Sequence, residues 1–172
     1  MAFVIQDPVT PKTDANAYIS VAEFATYHTD RGNAYSATDT EIEQAIVRAT
    51  DYIDARWTFA GSRKDADQST ECPRSGVYAQ DTGYLLDGYP EELKQACAEY
   101  ALAALSASLY PSPNVDSTGR TVRKTRKKAD VIEKETEYAN PATIGWTSYP
   151  LADGFMKRTR LLASERRTLG RG

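Results

Sequence analysis

Apolar residues recur at three- and four-residue spacing in three separate stretches of the chain, which predicts three amphipathic helices. In the first, Val21, Phe24, Ala25 and His28 share a face. Ser20 and Glu23 supply a capping box: the serine oxygen takes a free N–H of the first turn, and the glutamate reaches back to the cap. Gly32 marks the end of that helix. A second helix opens at Thr38 or Asp39 and carries Ile42, Ala45, Ile46, Ala49, Tyr52, Ile53 and Trp57. The third has Pro90 in its first turn, where a missing N–H costs nothing, and then Glu91 and Glu92 at the positive end of the helix dipole. Its stripe of Leu93, Ala96, Cys97, Tyr100, Ala101, Ala104, Leu105 and Leu109 permits close approach to the second helix or to another subunit. Tyr110-Pro111-Ser112-Pro113 ends it.

The remaining segments lack this period. Residues 1–17 hold Pro8, Pro11 and Asn16 among short apolar pairs, and predict an extended arm or edge strand. Residues 61–88 form a long loop with Cys72-Pro73-Arg74 in its middle, expected to act or to pack on a neighbour. Residues 121–128 are basic, and residues 131–138 alternate charged and uncharged positions as an exposed strand does, so the two are expected to pair. Pro141, Gly145, Pro150 and Gly154 predict irregular structure over residues 139–156. The expected fold is mainly α: a three- to four-helix bundle with a small β-hairpin and extended N- and C-terminal arms. Its parts are an arm at 1–17, a helical core at 18–113 that includes the loop 61–88, a basic hairpin or loop at 114–140, and an extended basic arm at 141–172.

Charge divides the chain in the same place. Among its 172 residues the formal net charge is only −3. Residues 1–100 carry seventeen Asp and Glu against eight Lys and Arg, a net of −9, and residues 101–172 carry thirteen Lys and Arg against seven acids, a net of +6. An acidic body joined to a basic last third suggests a part that docks onto something. The basic run Arg120, Arg123, Lys124, Arg126, Lys127 and Lys128 suits phosphate, an acidic protein face or plain solvent. It lacks the interleaved aromatics of a single-strand stacking platform. The tail, with Phe155, Met156, Leu161, Leu162 and Leu169 among its arginines, reads as a segment that orders on a partner, or as a frayed end.

Catalytic chemistry has little to build on. One histidine, His28, rules out a two-His metal site within one chain, and neither a Gly-x-Gly-x-x-Gly nor a Walker loop is present. Asp51 and Asp54, with Arg48 and Arg56 nearby, read as a solvated charged face of the second helix. Cys72 and Cys97 make no disulfide framework. No catalytic residue, metal or cofactor is expected. The N-terminus has no signal-peptide pattern, and no run reaches the roughly 20 apolar residues of a membrane span.

Several blocks together resemble a family. They are Asn16-Ala17-Tyr18-Ile19-Ser20-Val21-Ala22-Glu23, Ala49-Thr50-Asp51-Tyr52-Ile53-Asp54, Pro73-Arg74-Ser75-Gly76-Val77, Tyr89-Pro90-Glu91-Glu92-Leu93-Lys94-Gln95-Ala96, and Tyr149-Pro150-Leu151 before a basic tail. In this order, and over most of the chain, they resemble a set of tailed-phage virion proteins named DnaT-like single-stranded DNA-binding proteins. The helical core of that family is similar to the head–tail connector, or adaptor, proteins of long-tailed phages. The adaptor resemblance implies a structural protein that forms a ring, commonly a dodecamer, beneath the portal. Such a ring extends the DNA channel and offers a platform for the stopper or tail.

The partners so implied are the portal protein, a stopper or tail-completion protein, other copies of the chain, and the double-stranded DNA that passes through the channel, with no membrane involved. The implied place is the neck of the virion, after synthesis in the host cytoplasm. Phe155, Met156, Arg158, Arg160, Leu161, Leu162, Arg166 and Arg167 are then expected to bind the portal. Arg120, Arg123, Lys124, Arg126, Lys127 and Lys128 are expected to meet the lumen or the next ring, and Tyr18, Tyr78, Tyr84 and Tyr100 to touch neighbouring subunits. The family name implies the alternative, a single-stranded DNA-binding protein, which an acidic body fits less well.

Overall fold

The computed structural model describes residues 2–78, 83–86, 88–110, 122–128, 133–138 and 146–163. Four helices appear in chain order: α1 (Val21–Asp30), α2 (Asp39–Arg56), α3 (Glu91–Ser106) and α4 (Pro150–Arg158). Two short ladders accompany them, β1 (Ser62–Arg63) with β2 (Arg74–Ser75), and β3 (Val122–Lys128) with β4 (Glu133–Tyr138). The chain divides into two compact units. One, Met1–Leu109 with Ser148–Gly172, holds the helices; the other, Tyr110–Thr147, holds the β3–β4 hairpin. The mainly helical fold with a small hairpin is therefore the one observed.

Capping chemistry starts the first two helices. The Ser20 hydroxyl accepts from Glu23 N at 3.1 Å while Ser20 N–H donates to the Glu23 carboxylate at 2.8 Å. Thr38 and Glu41 repeat the arrangement at the head of α2. Pro90 is the N-cap of α3. That helix ends at Ser106, short of the expected Tyr110, because the chain turns extended at Ala107; Leu109 is nevertheless buried.

In the helical unit α3 packs on both α2 and α4. Ala45 and Ala49 of α2 and Ala96, Ala101 and Ala104 of α3 are all buried, which suits close helix approach. Thr50 and Cys97 meet across the α2–α3 contact, Oγ1 to Sγ 3.8 Å. Tyr52, Tyr100 and Tyr149 form an edge-to-face triangle with centroids 5.1–5.9 Å apart.

Two segments expected as extended arms fold onto this unit. Residues 150–158 form α4. Pro150 starts the helix at a position that needs no N–H, and Ala152, Phe155, Met156 and Thr159 then bury one face. Gly154 costs helix propensity, but the packing of that face outweighs it. At the other end, residues 4–17 double back, with Gln6 N–H donating to Ala17 O and Asn16 N–H to Val4 O, each at 2.8 Å. The Gln6 amide is buried and fully used. Its oxygen accepts from Asp7 N and Lys12 N, and its nitrogen donates to Lys12 O and to Thr70 Oγ1.

Candidate functional site

The loop between α2 and α3 is built around one arginine. The Arg74 guanidinium donates to the carbonyls of Phe59 (3.2 Å), Ala60 (3.0 Å), Gly61 (2.9 Å) and Glu71 (3.3 Å), and to the Glu71 carboxylate (2.8 Å). Its five fixed donors suit a cluster of carbonyls that no other side chain satisfies as well. Gly61 sits at φ +69°, and a Cβ there would fall 2.3 Å from Ser75 O, so only glycine lets β1 and β2 close. Ser69 donates to Ala15 O, Gln68 to the carbonyls of Thr70 and Pro73, and Glu71 also pairs with Arg63. The Cys72–Pro73 peptide is cis.

The loop is bonded to α2 through Asp54. Tyr18 Oη donates to Asp54 Oδ1 at 2.5 Å, Glu71 N–H donates to Oδ2 at 3.0 Å, and Cys72 N–H donates to the Tyr18 oxygen at 3.1 Å. Burial pushes the Asp54 carboxyl up to about 7, against the hydrogen bonds that favour its charged form. The solvated face expected on α2 is therefore only half present. Arg48 and Asp51 are exposed, but Asp54 is enclosed, and Arg56 is committed to Asp153 by two 2.8 Å bonds. The signal for Asp54 is its place one turn after Thr50, on the buried side of α2.

From this framework the same loop presents apolar groups to solvent. Tyr78 is 61% exposed, Tyr84 75% and Leu85 57%, and a bridge pairs Tyr78 with Leu85. A second, shallow apolar depression lies between α3 and α4, lined by Leu102, Ala103, Tyr149, Pro150 and Leu151.

The expected contact residues separate into two groups. Tyr78 and Tyr84 are available to a neighbouring chain; Tyr18 and Tyr100 are not, because both are fully buried with their hydroxyls on Asp54 and Asp153. Of the expected portal set, Phe155, Met156 and Leu161 belong to the core, and half-buried Leu162 bridges to Phe59. Phe155, Met156 and Leu161 are already buried within the chain and have little apolar surface left for a partner to cover. Arg158 and Arg160 are exposed, the first with its guanidinium 4.7 Å from the Phe155 ring centre. Arg166, Arg167 and Arg120 lie outside the described residues.

Arg123, Lys124, Arg126, Lys127 and Lys128 all fall on β3. Its antiparallel register sets Lys124 opposite Glu137, Arg126 opposite Glu135, Lys128 opposite Glu133, and Lys127 opposite Lys134. Position parity puts the three opposite-charge pairs on one face of the ladder. The spacing of the acids in β4 was the available signal for that compensation. Tyr110 and Trp146, at the two ends of this unit in sequence, bring their rings to 6.2 Å.

His28 is buried, with Nε2 3.2 Å from Ala98 O and Nδ1 3.1 Å from the Asn33 amide nitrogen, and burial lowers its pKa. Among the described residues no group of three or more His, Cys, Asp or Glu is gathered as a metal site, and no helix is long and apolar enough to cross a membrane.

Residues 1–169 match the model of the family described as "Putative DnaT-like ssDNA binding protein", and the chain belongs to that family. Comparison with the curated proteins finds no match, and comparison with the solved structures finds none.

Proposed function

We propose that the chain is a structural virion protein of a tailed phage, the head-to-tail adaptor. Its copies form a ring beneath the portal, extend the DNA channel and dock the stopper or tail-completion protein. The observation that carries this reading is the loop 61–78, hydrogen-bonded to α2 and to the N-terminal segment, which leads into exposed Tyr78, Tyr84 and Leu85 on a body whose first hundred residues are strongly acidic. Exposed aromatics on a fixed support suit a protein partner, and the acidic charge repels phosphate, as a channel wall that must not grip DNA requires. The exposed Arg158 and Arg160, with the basic residues that follow, suit an acidic portal surface.

A second reading is single-stranded DNA binding. The family's description favours it, as does the Tyr110–Trp146 pair in the same unit as the basic strand β3. One experiment separates the two. The purified chain is mixed with the portal of its own phage and imaged by electron microscopy, while a single-stranded oligonucleotide is titrated at several salt concentrations. The adaptor reading expects a second ring under the portal and weak oligonucleotide binding. No ring, with tight and steeply salt-dependent binding, would replace it with the second reading.

A further inference from the structure

We propose that the hairpin joins copies of the chain to one another: β4 of one copy adds to β3 of the next, so that neighbours share one antiparallel sheet. Among the described residues the β3–β4 sheet has two strands, so each strand has an outer edge without a ladder partner. Proteins commonly guard such edges with charge of one sign, which repels a second copy. Here the two edges differ in sign. β3 holds Arg123, Lys124, Arg126, Lys127 and Lys128 and no acid, while β4 holds Glu133, Glu135 and Glu137 with the single cation Lys134.

The register makes the match specific. Within one hairpin each glutamate position of β4 faces one cation position of β3. Adding the β3 of a second copy to the outer edge of β4, in the same antiparallel register, gives each glutamate position a cation position on both sides. Every junction then sets three opposite-charge pairs against one like-charge pair, Lys127 with Lys134, and Thr125 meets Thr136. Pairing β3 with β3, or β4 with β4, sets mostly like charges across the junction. The contact is therefore head-to-tail, and a head-to-tail contact closes into a ring when the rotation allows, which removes every edge. The register irregularity between Val122 and Lys124 confines regular pairing to positions 124–128. This gives the adaptor ring a closing contact and rests on that reading for the ring alone; the pairing itself needs only two copies.

The test uses two full-length variants, Thr125→Cys and Thr136→Cys, which leave every charge in place. Native Cys72 and Cys97 are fully buried and stay out of the reaction under folding conditions. The variants are mixed in equal amounts with oxidised glutathione at low salt. The expected product is the heterodimer joining position 125 to position 136, in about tenfold excess over either homodimer and reduced in 1 M salt. A heterodimer no more than about twofold over either homodimer, which is the statistical ratio for equal amounts of two variants, or a yield no higher than that of a control pair carrying Ser106→Cys, would overturn the proposal. So would strong cross-linking of Thr125→Cys to a chain with the charges of both strands exchanged (K124E, R126E, K128E, E133K, E135K and E137K, with T136C), because that junction sets like charges together. Loss of the heterodimer with oligonucleotide bound at β3 would assign the edge to a polyanion instead. A heterodimer without a portal-bound ring removes the adaptor reading and keeps the pairing, and a ring without a heterodimer does the reverse.

Discussion

Arg56 and Asp153, 97 positions apart in sequence, meet fork to fork: Nη1 to Oδ1 and Nη2 to Oδ2, each 2.8 Å. Tyr100 Oη donates to the same Oδ1 at 2.5 Å, and Tyr149 N–H donates to Oδ2 at 3.3 Å. The pair ties the end of α2 to the first turn of α4, with side chains only 12% and 10% exposed. Removing one partner strands a charge out of water. Asp153→Ala is expected to cost about 3–5 kcal/mol, read as the urea midpoint at unchanged slope. Arg56→Met with Asp153→Leu recovers most of that loss, because no lone charge is left. A single variant within about 0.5 kcal/mol of the parent would show that the pair does not hold α4.

Asp54 makes the fold respond to pH in the unusual direction for a carboxylate. Its value in the folded chain, about 7, lies above the ordinary 3.8, so the folded state holds the proton more tightly than the unfolded one. The stability this contributes is complete below the unfolded value and is lost as pH rises from about 4 through about 7. Asp51 and Glu71 push in the same direction as burial, and the Tyr18 and Glu71 hydrogen bonds oppose it. Thermal midpoints of the parent and of Asp54→Asn, measured across pH 4–8, are expected to differ in slope within that window and to run parallel above it. Parallel curves throughout would contradict the assignment.

Arg74→Lys keeps the charge and loses the fork. A lysine has three donors and no planar geometry, so most of the carbonyls at 59, 60, 61 and 71 lose their partner. The expected cost is about 2–3 kcal/mol. Faster amide exchange centred on residues 59–77 is the sharper readout, because the carbonyls that Arg74 holds all lie within that segment. Gly61→Ala should loosen the same segment by a different route, through a Cβ pressed onto Ser75 O at positive φ.

Truncation separates the tail from the body. A chain ending at Ala163 keeps Leu161 and Leu162, together with the bonds from Ala60 N to Leu161 O and from Ala163 N to Thr58 O, and is expected to melt as the full chain does. A chain ending at Met156 loses buried Thr159 and Leu161. Burial of the leucine alone is worth about 1.5–3 kcal/mol, so this truncation should lower the midpoint clearly. Under the adaptor reading, the chain ending at Ala163 also binds the portal more weakly than the full chain.

The three main helices were legible because their signals are local: Ser20 with Glu23, apolar spacing from Ile42 to Ile53, and Pro90 before two glutamates. α4 carried equally local marks, in Pro150 at its start, Lys157 and Arg158 at its end, and Ala152, Phe155 and Met156 at helical spacing. Pro150 and Gly154 outweighed those marks, since both also belong to irregular segments. The misassigned contact residues have a different cause. Tyr18 finds its acceptor 36 positions away and Tyr100 finds one 53 positions away, so nothing near either tyrosine announces that its hydroxyl is satisfied inside. Phe155, Met156 and Leu161 among arginines look alike whether the apolar side meets another chain or the chain's own third helix.

The hairpin unit is an insertion: the host chain leaves the helical body after Leu109 and re-enters it at Ser148. Both edges of that gap are secured independently, by burial of Leu109 on one side and by the Arg56–Asp153 pair on the other. Doubling the length of such an insert costs its host only about 0.6 kcal/mol in closure entropy. The helical host therefore tolerates an interval of other length or charge between Leu109 and Ser148 at little cost to its own core.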